Sequence, residues 1–251
     1  MASAMRDEKG YPPTDRYNLV YLIFFMCGVG GLLPWNFFIN AQRYFDYKMR
    51  DRTLPPDADY TDPKYMTRSQ VLFVSYLAVC SLVPFSIMMV ANLLLMKWFS
   101  SFSRFAVGSV LVFIVFLFTV ILVYIDVSAR AFLAMTLISV VFLNCGSALA
   151  QGSVFGVAAI LPSKHIKAAL EGQAVSGIIA SLANIISIAT SSSVTTNGLV
   201  YFLVALVFIT ATAAMFLVLP KIGYFKYYWN NKGMCYFKLP CCPRNYDKLN
   251  V

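Results

Sequence analysis

Six long apolar stretches constrain this chain more than any other feature of its sequence. They cover residues 19–41, 70–96, 105–125, 131–161, 168–190 and 199–220. Each is long enough for a helix that crosses about 30 Å of hydrocarbon, which takes roughly 20 residues. Hydrophobic residues make up 59% of the chain and charged residues only 12%, so a water-soluble domain of this length could not bury them all. The sequence therefore predicts an all-α polytopic membrane protein with six transmembrane helices.

The distribution of Lys and Arg predicts on which side of the membrane the termini lie. An even number of crossings puts both termini on the same side. The leader 1–18, the inner loops and the tail 221–251 carry most of the basic residues, whereas the outer segments mix basic residues with Asp. By the positive-inside rule we expect a cytoplasmic leader and tail and an outer loop at 42–67. We interpret the net charge of +9 as a topology signal and a contact with anionic lipid, in preference to a nucleic-acid site.

The sequence does not carry the motifs of a catalytic or metal-binding protein. Paired Cys ligands, a Gly-x-Ser-x-Gly turn and a His-Glu-x-x-His motif are missing, and we place the only histidine, His165, in a loop. Cys235, Cys241 and Cys242 lie in the tail, where we expect free thiols, with palmitoylation as the alternative. We predict no cofactor, no metal and no enzymatic activity.

The interiors of the spans carry neutral polar residues and no Asp, Glu, Lys, Arg or His, since Glu171 lies near the inner end of span five and His165 in the loop before it. Uptake of a solute would then need neither a sodium nor a proton gradient. Asn144, Ser147 and Gln151 lie three and four residues apart in span four, and Gln173 and Gly177 follow the same spacing in span five. Such residues either join packed helices or face a cavity and contact an uncharged polar solute. Gln151, a long amide in the middle of a span, is the main candidate for solute contact.

Prolines in the first two spans predict bent helices. Pro34 cannot donate a backbone hydrogen bond, so we expect a bend that presents Trp35 and Asn36 near the outer end of span one. Trp35 then either anchors the helix at the membrane interface or stacks on a flat ligand. Pro84 predicts a similar bend in span two.

Four motifs together resemble the equilibrative nucleoside transporter family. They are Gly30-Gly31-Leu32-Leu33-Pro34-Trp35-Asn36-Phe37-Phe38-Ile39, Arg104 to Ser109, Gln151-Gly152-Ser153-Val154-Phe155-Gly156 running to Leu161-Pro162, and Gly172-Gln173-Ala174 to Gly177 and Ala180-Ser181. The resemblance extends to about Tyr228. It implies a fold like that of the major facilitators, with six helices in the first half and five in the second. It also implies that nucleosides such as uridine and adenosine, with nucleobases as a further option, move down their gradients.

The same resemblance implies roles for individual residues. Trp35 would pack on the solute, Gln151 would hydrogen bond the nucleobase, and Ser147 occupies a position that tunes inhibitor sensitivity in the family. An apolar wall of the site would come from Leu32, Ile39, Leu82 and Phe85. The resemblance implies a packing role for Gly172 and Gly177. Independently of it, Gly152 and Gly156 form a small-xxx-small pair, and we also assign Pro34, Asn36 and Gln173 to helix packing.

The resemblance further implies that this chain corresponds to the N-terminal half of a transporter. The family's second half supplies an Asp and an Arg for the ribose, and the stretch matched here does not include it. We therefore expect a C-terminal transporter half or a full-length homologue as a partner, and the plasma membrane as the location. The alternative is a non-transporting form that associates with full-length transporters and modulates them.

Overall fold

The chain folds into helices throughout the residues that the structure describes. This structure is a computed structural model, and it describes residues 13–51, 53, 62–125, 127–190 and 194–230. The helices, in chain order, are α1 (Leu19–Asn40), α2 (Gln42–Met49), α3 (Arg68–Leu95), α4 (Ser101–Tyr124), α5 (Ala129–Ala158), α6 (Lys164–Thr190), α7 (Val194–Val218) and α8 (Gly223–Tyr228).

Hydroxyl side chains cap the starts of three long helices. Thr67 and Gln70 form a capping box at α3, in which each side chain accepts a hydrogen bond from the other residue's backbone N–H. Ser100 accepts from the backbone N–H of Ser103 at α4, and Ser128 plays the same role at α5. The caps satisfy backbone donors that have no partner inside a helix, and they mark where each span begins.

In the part of the chain that the structure describes, six helices, α1 and α3 to α7, are long and apolar enough to cross a membrane. They overlap the six apolar stretches of the sequence. The prediction of an all-α protein with six transmembrane helices is confirmed, and the chain is an integral, multi-pass membrane protein.

The structure differs from the expected outer loop at 42–67, because its first part is helical. Gln42–Met49 form α2, which buries Tyr44, Phe45 and Met49. A helix this short is stabilised mainly by tertiary contacts, which a search for long apolar stretches does not detect. Burial also raises the pKa of the Asp46 carboxyl on the same helix.

The predicted tail likewise begins with ordered structure. A 3-10 turn at Leu219–Lys221 leads into α8, which buries Tyr224 and Phe225. The three tail cysteines, at positions 235, 241 and 242, lie outside the described residues.

Two aromatic clusters fill the bundle, one near α2 and one near α8. The cluster at the α2 end includes the buried side chains of Phe38, Phe45, Phe116 and Phe202. The cluster at the α8 end includes those of Phe24, Phe105, Phe216 and Phe225. Helix α1 contributes to both clusters, and it packs most extensively on α6. Residues on α1 are therefore held between neighbouring helices along the whole depth of the bundle.

Among the described residues, two basic side chains are buried in the first turns of helices, outside the span interiors in which we expect no charge. Arg104, in the first turn of α4, is only 4% exposed. Its guanidinium donates to the backbone carbonyl of Asn92 at 3.1 Å, to the Asn92 side-chain oxygen, and to the Ser101 hydroxyl at 3.1 Å. His165, expected in a loop, is the second residue of α6 and is fully buried. The Asn92 acceptors of Arg104 lie near the carboxyl end of α3, where the helix dipole attracts cations. The sequence pattern did not predict this contact.

Candidate functional site

The Gln151 side chain joins α5 to α1 in the middle of the bundle. Its Nε2 donates a hydrogen bond to the backbone carbonyl of Gly31 at 2.8 Å. The residue is 8% exposed, and a side chain at Gly31 would lie only 2.9 Å from its Cγ. The absence of a side chain at Gly31 therefore gives Gln151 the room to reach the backbone of α1.

A second amide, on α6, continues this connection. Gln173 donates from Nε2 to Oε1 of Gln151 at 2.9 Å. Nearby, Asn36 donates from Nδ2 to the Ser176 hydroxyl at 2.8 Å, and that hydroxyl donates to the backbone carbonyl of Gln173 at 2.6 Å. We call these five residues, Gly31, Asn36, Gln151, Gln173 and Ser176, the polar seam. The seam hydrogen bonds α1, α5 and α6 to one another with neutral groups alone.

A small internal cavity lies beside the seam. It has a volume of about 30 Å³, and Gln151, Ser147, Ser109 and Thr212 contribute polar side chains to its wall. A buried water needs roughly 10–15 Å³ measured in this way, so the cavity has room for about two waters. Ser147, predicted to contact the solute, is thus placed inside the bundle, in a space far smaller than a nucleoside.

The predicted apolar contacts of span one share a face of α1. Leu32 and Trp35 are half-buried, and Ile39 is 47% exposed. Their spacing of three and four residues places them on one side of the helix. Trp35 also packs against the aromatic cluster at the α2 end. Gln151 reaches the same helix at Gly31, four residues before Trp35 and therefore about one turn away along α1.

The two predicted contacts on α3 remain at the surface of the bundle. Leu82 is 64% exposed and Phe85 is half-buried. Helix α3 packs mainly on α5 rather than on α1. This part of the predicted apolar wall therefore lies at the surface of the bundle, away from α1.

The predicted packing residues differ in how closely they approach a neighbour. A side chain at Gly172 would overlap the backbone carbonyl of Phe25 on α1, and one at Gly152 would overlap the Asn92 amide. At Gly177 and Gly156 the nearest atoms would be 3.8 Å and 4.0 Å away, which is ordinary contact distance. Pro34 is buried within α1, which continues past it to Asn40.

Two parts of this site were not predicted from the sequence. Ser176 lies within the family-like stretch from Gly172 to Gly177, but the sequence predicts no role for it, although it follows Gln173 by three residues and so lies on the same helix face. The hydrogen bond between Gln173 and Gln151 joins residues 22 positions apart in the sequence. Predicting it requires knowledge of how α5 and α6 pack. Among the residues that the structure describes, no group of three or more His, Cys, Asp or Glu side chains could hold a metal ion.

Comparison with known proteins gives consistent matches. Residues 137–239 match the family described as Nucleoside transporter. Equilibrative nucleoside transporter 3 of Rattus norvegicus is 34% identical over 220 residues, which are 86% of this chain and 45% of that protein. Equilibrative nucleoside transporter 1 of Homo sapiens is 33% identical over 232 residues, 87% of this chain and 51% of that protein. Equilibrative nucleoside transporter 2 of Homo sapiens is 33% identical over 231 residues, 90% and 49% of the two chains.

The length of these matches limits what they cover. The chain spans about half the length of the curated relatives it matches. The aligned residues make up 86% to 90% of this chain. The chain is thus related in sequence to the equilibrative nucleoside transporters, the family that its motifs resemble.

Proposed function

We propose that this chain is the N-terminal half of a facilitative nucleoside transporter and supplies the wall of the solute site that recognises the nucleobase. Its relatives are named equilibrative nucleoside transporters, and the motifs of its first, fourth, fifth and sixth helices resemble that family. Nucleosides such as uridine and adenosine are the proposed solutes, and nucleobases are a further option. We propose no enzymatic activity.

The observation that carries this proposal is the placement of the Gln151 amide. It bonds α1 at Gly31, next to Leu32 and one turn before Trp35 in sequence, and its hydrogen-bonding neighbours are uncharged. A nucleobase is flat and uncharged and has donors and acceptors along its edge. An amide that is largely shielded from water can bond such an edge, while aromatic and aliphatic side chains contact its faces.

The volume of the internal cavity supports a site shared with a second half. Pockets for small molecules usually measure about 300–1,000 Å³, roughly ten to thirty times the volume of the cavity of about 30 Å³ beside Gln151. A nucleoside would therefore lie on the face of the bundle rather than inside it. In secondary transporters such sites form where two halves meet, so we propose a C-terminal transporter half as the partner.

We propose the plasma membrane as the location and a cytoplasmic position for both termini. The support for the orientation is the excess of Lys and Arg in the leader, the inner loops and the tail. The α8 end of the bundle would then face the cytoplasm, and the α2 end would face outward.

Uptake of labelled uridine in transporter-deficient cells tests the proposal. The chain would be expressed alone, with the separate C-terminal half of a relative, and with a full-length relative, each time with surface expression measured. Uptake above the vector control with the chain alone or with the C-terminal half supports transport. Uptake that changes only beside a full-length relative would instead identify a modulator, the alternative that the sequence left open.

A further inference from the structure

The hydrogen bonds of Gln151 leave a defined part of its amide free. A glutamine amide offers two N–H donors on Nε2 and two acceptor positions on Oε1. Gly31 takes one donor and Gln173 takes one acceptor position. One N–H and one acceptor position therefore remain, one at each end of the same amide group.

The two neighbours also fix the orientation of the Gln151 amide, that is, which of its ends is Nε2 and which is Oε1. The backbone carbonyl of Gly31 can only accept, so Nε2 of Gln151 must face α1. Oε1 then lies at the other end, where it needs a donor, and Gln173 provides one from Nε2. Donation therefore runs from Gln173 to Gln151, and from Gln151 to a fixed backbone carbonyl on α1.

Gln173 is itself held in place from two sides. Its backbone carbonyl accepts from the Ser176 hydroxyl, which in turn accepts from Asn36 of α1. Close packing brings the helices together here, because a side chain at the neighbouring Gly172 would overlap the backbone of Phe25. The donor that Gln173 offers is thus tied to the position of α6 on α1.

We propose that Gln173 is a positioning residue for nucleoside recognition: it fixes the Gln151 amide so that one donor and one acceptor meet the base edge in a single orientation. This inference rests on the proposed function. A ring edge with a donor beside an acceptor, such as those of uracil and adenine, fits the two free positions. Without the bond from Gln173, Gln151 would be anchored at one end only, and binding would have to restrict its remaining freedom.

Replacing Gln173 by Glu tests this role because the two side chains have the same shape. An ionised carboxylate can only accept, so it cannot donate to Oε1 of Gln151, whereas a protonated carboxyl can. We expect uridine affinity in Gln173→Glu to be near wild type at acid pH. It should fall by about tenfold as pH rises through the pKa of the new carboxyl. Gln173→Leu, which has no donor at any pH, should show the loss throughout.

Asn184→Asp is the matched control. Asn184 also lies on α6 and donates across the same helix pair, from Nδ2 to the backbone carbonyl of Asn40 at 3.0 Å. The Asn184→Asp variant makes the same change from amide to carboxylate at a position that does not contact Gln151. Its uridine affinity should therefore equal that of the wild type at every pH.

The measurement is saturation binding of labelled uridine to the 251-residue protein purified together with the separate C-terminal half of a relative. It would be made from about pH 5 to about pH 9, a range wide enough to titrate a glutamate whose pKa burial has raised. Only fractions that elute as folded protein would be assayed. A pH-dependent affinity in Gln173→Glu alone supports the positioning role. Wild-type affinity in both Gln173 variants overturns that role and leaves the proposed function intact. Failure of the wild-type protein to bind uridine when paired with that C-terminal half overturns both.

Discussion

Arg104 of α4 donates to both oxygen atoms of Asn92, the backbone carbonyl and the side-chain carbonyl, near the carboxyl end of α3. Asn92 in turn donates from Nδ2 to the backbone carbonyl of Ala148 on α5, at 3.3 Å. A buried guanidinium needs several acceptors, and here it finds them on neutral groups of the preceding helix. This pair of residues fastens α3, α4 and α5 together at the end of the bundle opposite α2.

Removing the guanidinium should therefore destabilise the protein. In Arg104→Leu the Asn92 side-chain oxygen loses this donor while buried, which typically costs roughly 1–3 kcal/mol. We expect a lower melting temperature in detergent, measured by size-exclusion chromatography after heating. Arg130→Leu is the control, because Arg130 is exposed and its loss should change stability by no more than about 0.5 kcal/mol. Equal melting temperatures of Arg104→Leu and the wild type would contradict this role.

The contact between α1 and α6 predicts different outcomes at two glycines of the same helix. Gly172→Ala should destabilise the bundle by roughly 1–3 kcal/mol, because the added methyl group would overlap the backbone of Phe25. Gly177→Ala should be neutral or stabilising by up to about 1 kcal/mol, since the nearest atom lies 3.8 Å from the added carbon. Melting temperatures of the two variants provide the comparison. Similar losses in both would argue against close contact at Gly172 in particular.

Gln151→Leu should weaken uridine recognition more than it lowers expression. Losing the amide would leave the base edge unpaired, which typically costs roughly 1–3 kcal/mol. The uridine concentration at half-saturation should therefore rise about tenfold to a hundredfold. Asn144→Leu is the control on the same helix, because Asn144 donates within α5, to the backbone carbonyl of Val140 at 2.8 Å. If Gln151 only joins helices, the measured affinity would stay at the wild-type value and stability would change by about 0.6 kcal/mol.

Uptake by the protein, completed with its second half where needed, should be independent of sodium. The polar seam and the cavity wall present amides and hydroxyls rather than carboxylates, and buried carboxylates are common in ion-coupled transporters. Replacing external sodium by choline should leave initial rates of uridine uptake unchanged. A clear drop would contradict the prediction for these helices unless it is traced to the other half.

Epitope tags should place both termini in the cytoplasm. The excess of Lys and Arg in the leader, inner loops and tail is the physical reason. Tags at Ala2 and Leu249 should stain only permeabilised cells, whereas a tag at Asp57 should stain intact cells. Staining of either terminus in intact cells would refute this orientation.

The sequence by itself determined that the protein lies in a lipid bilayer and that its fold is all-α. Six apolar stretches of sufficient length leave a chain no soluble alternative, because each must bury its side chains and satisfy its own backbone in lipid. The motif around Pro34 and Trp35 also indicated the family before any packing was known. These properties depend on local composition and order along the chain.

Only the tertiary structure decided which polar groups meet. Gln151 and Gln173 lie 22 residues apart, and their bond depends on how α5 and α6 pack against α1. The same holds for Arg104 and Asn92, and for α2, whose apolar residues are stabilised by neighbours distant in sequence. Hydropathy and spacing describe single helices, whereas hydrogen bonds and close contacts between helices depend on relative position and rotation, which emerge only when all six pack together.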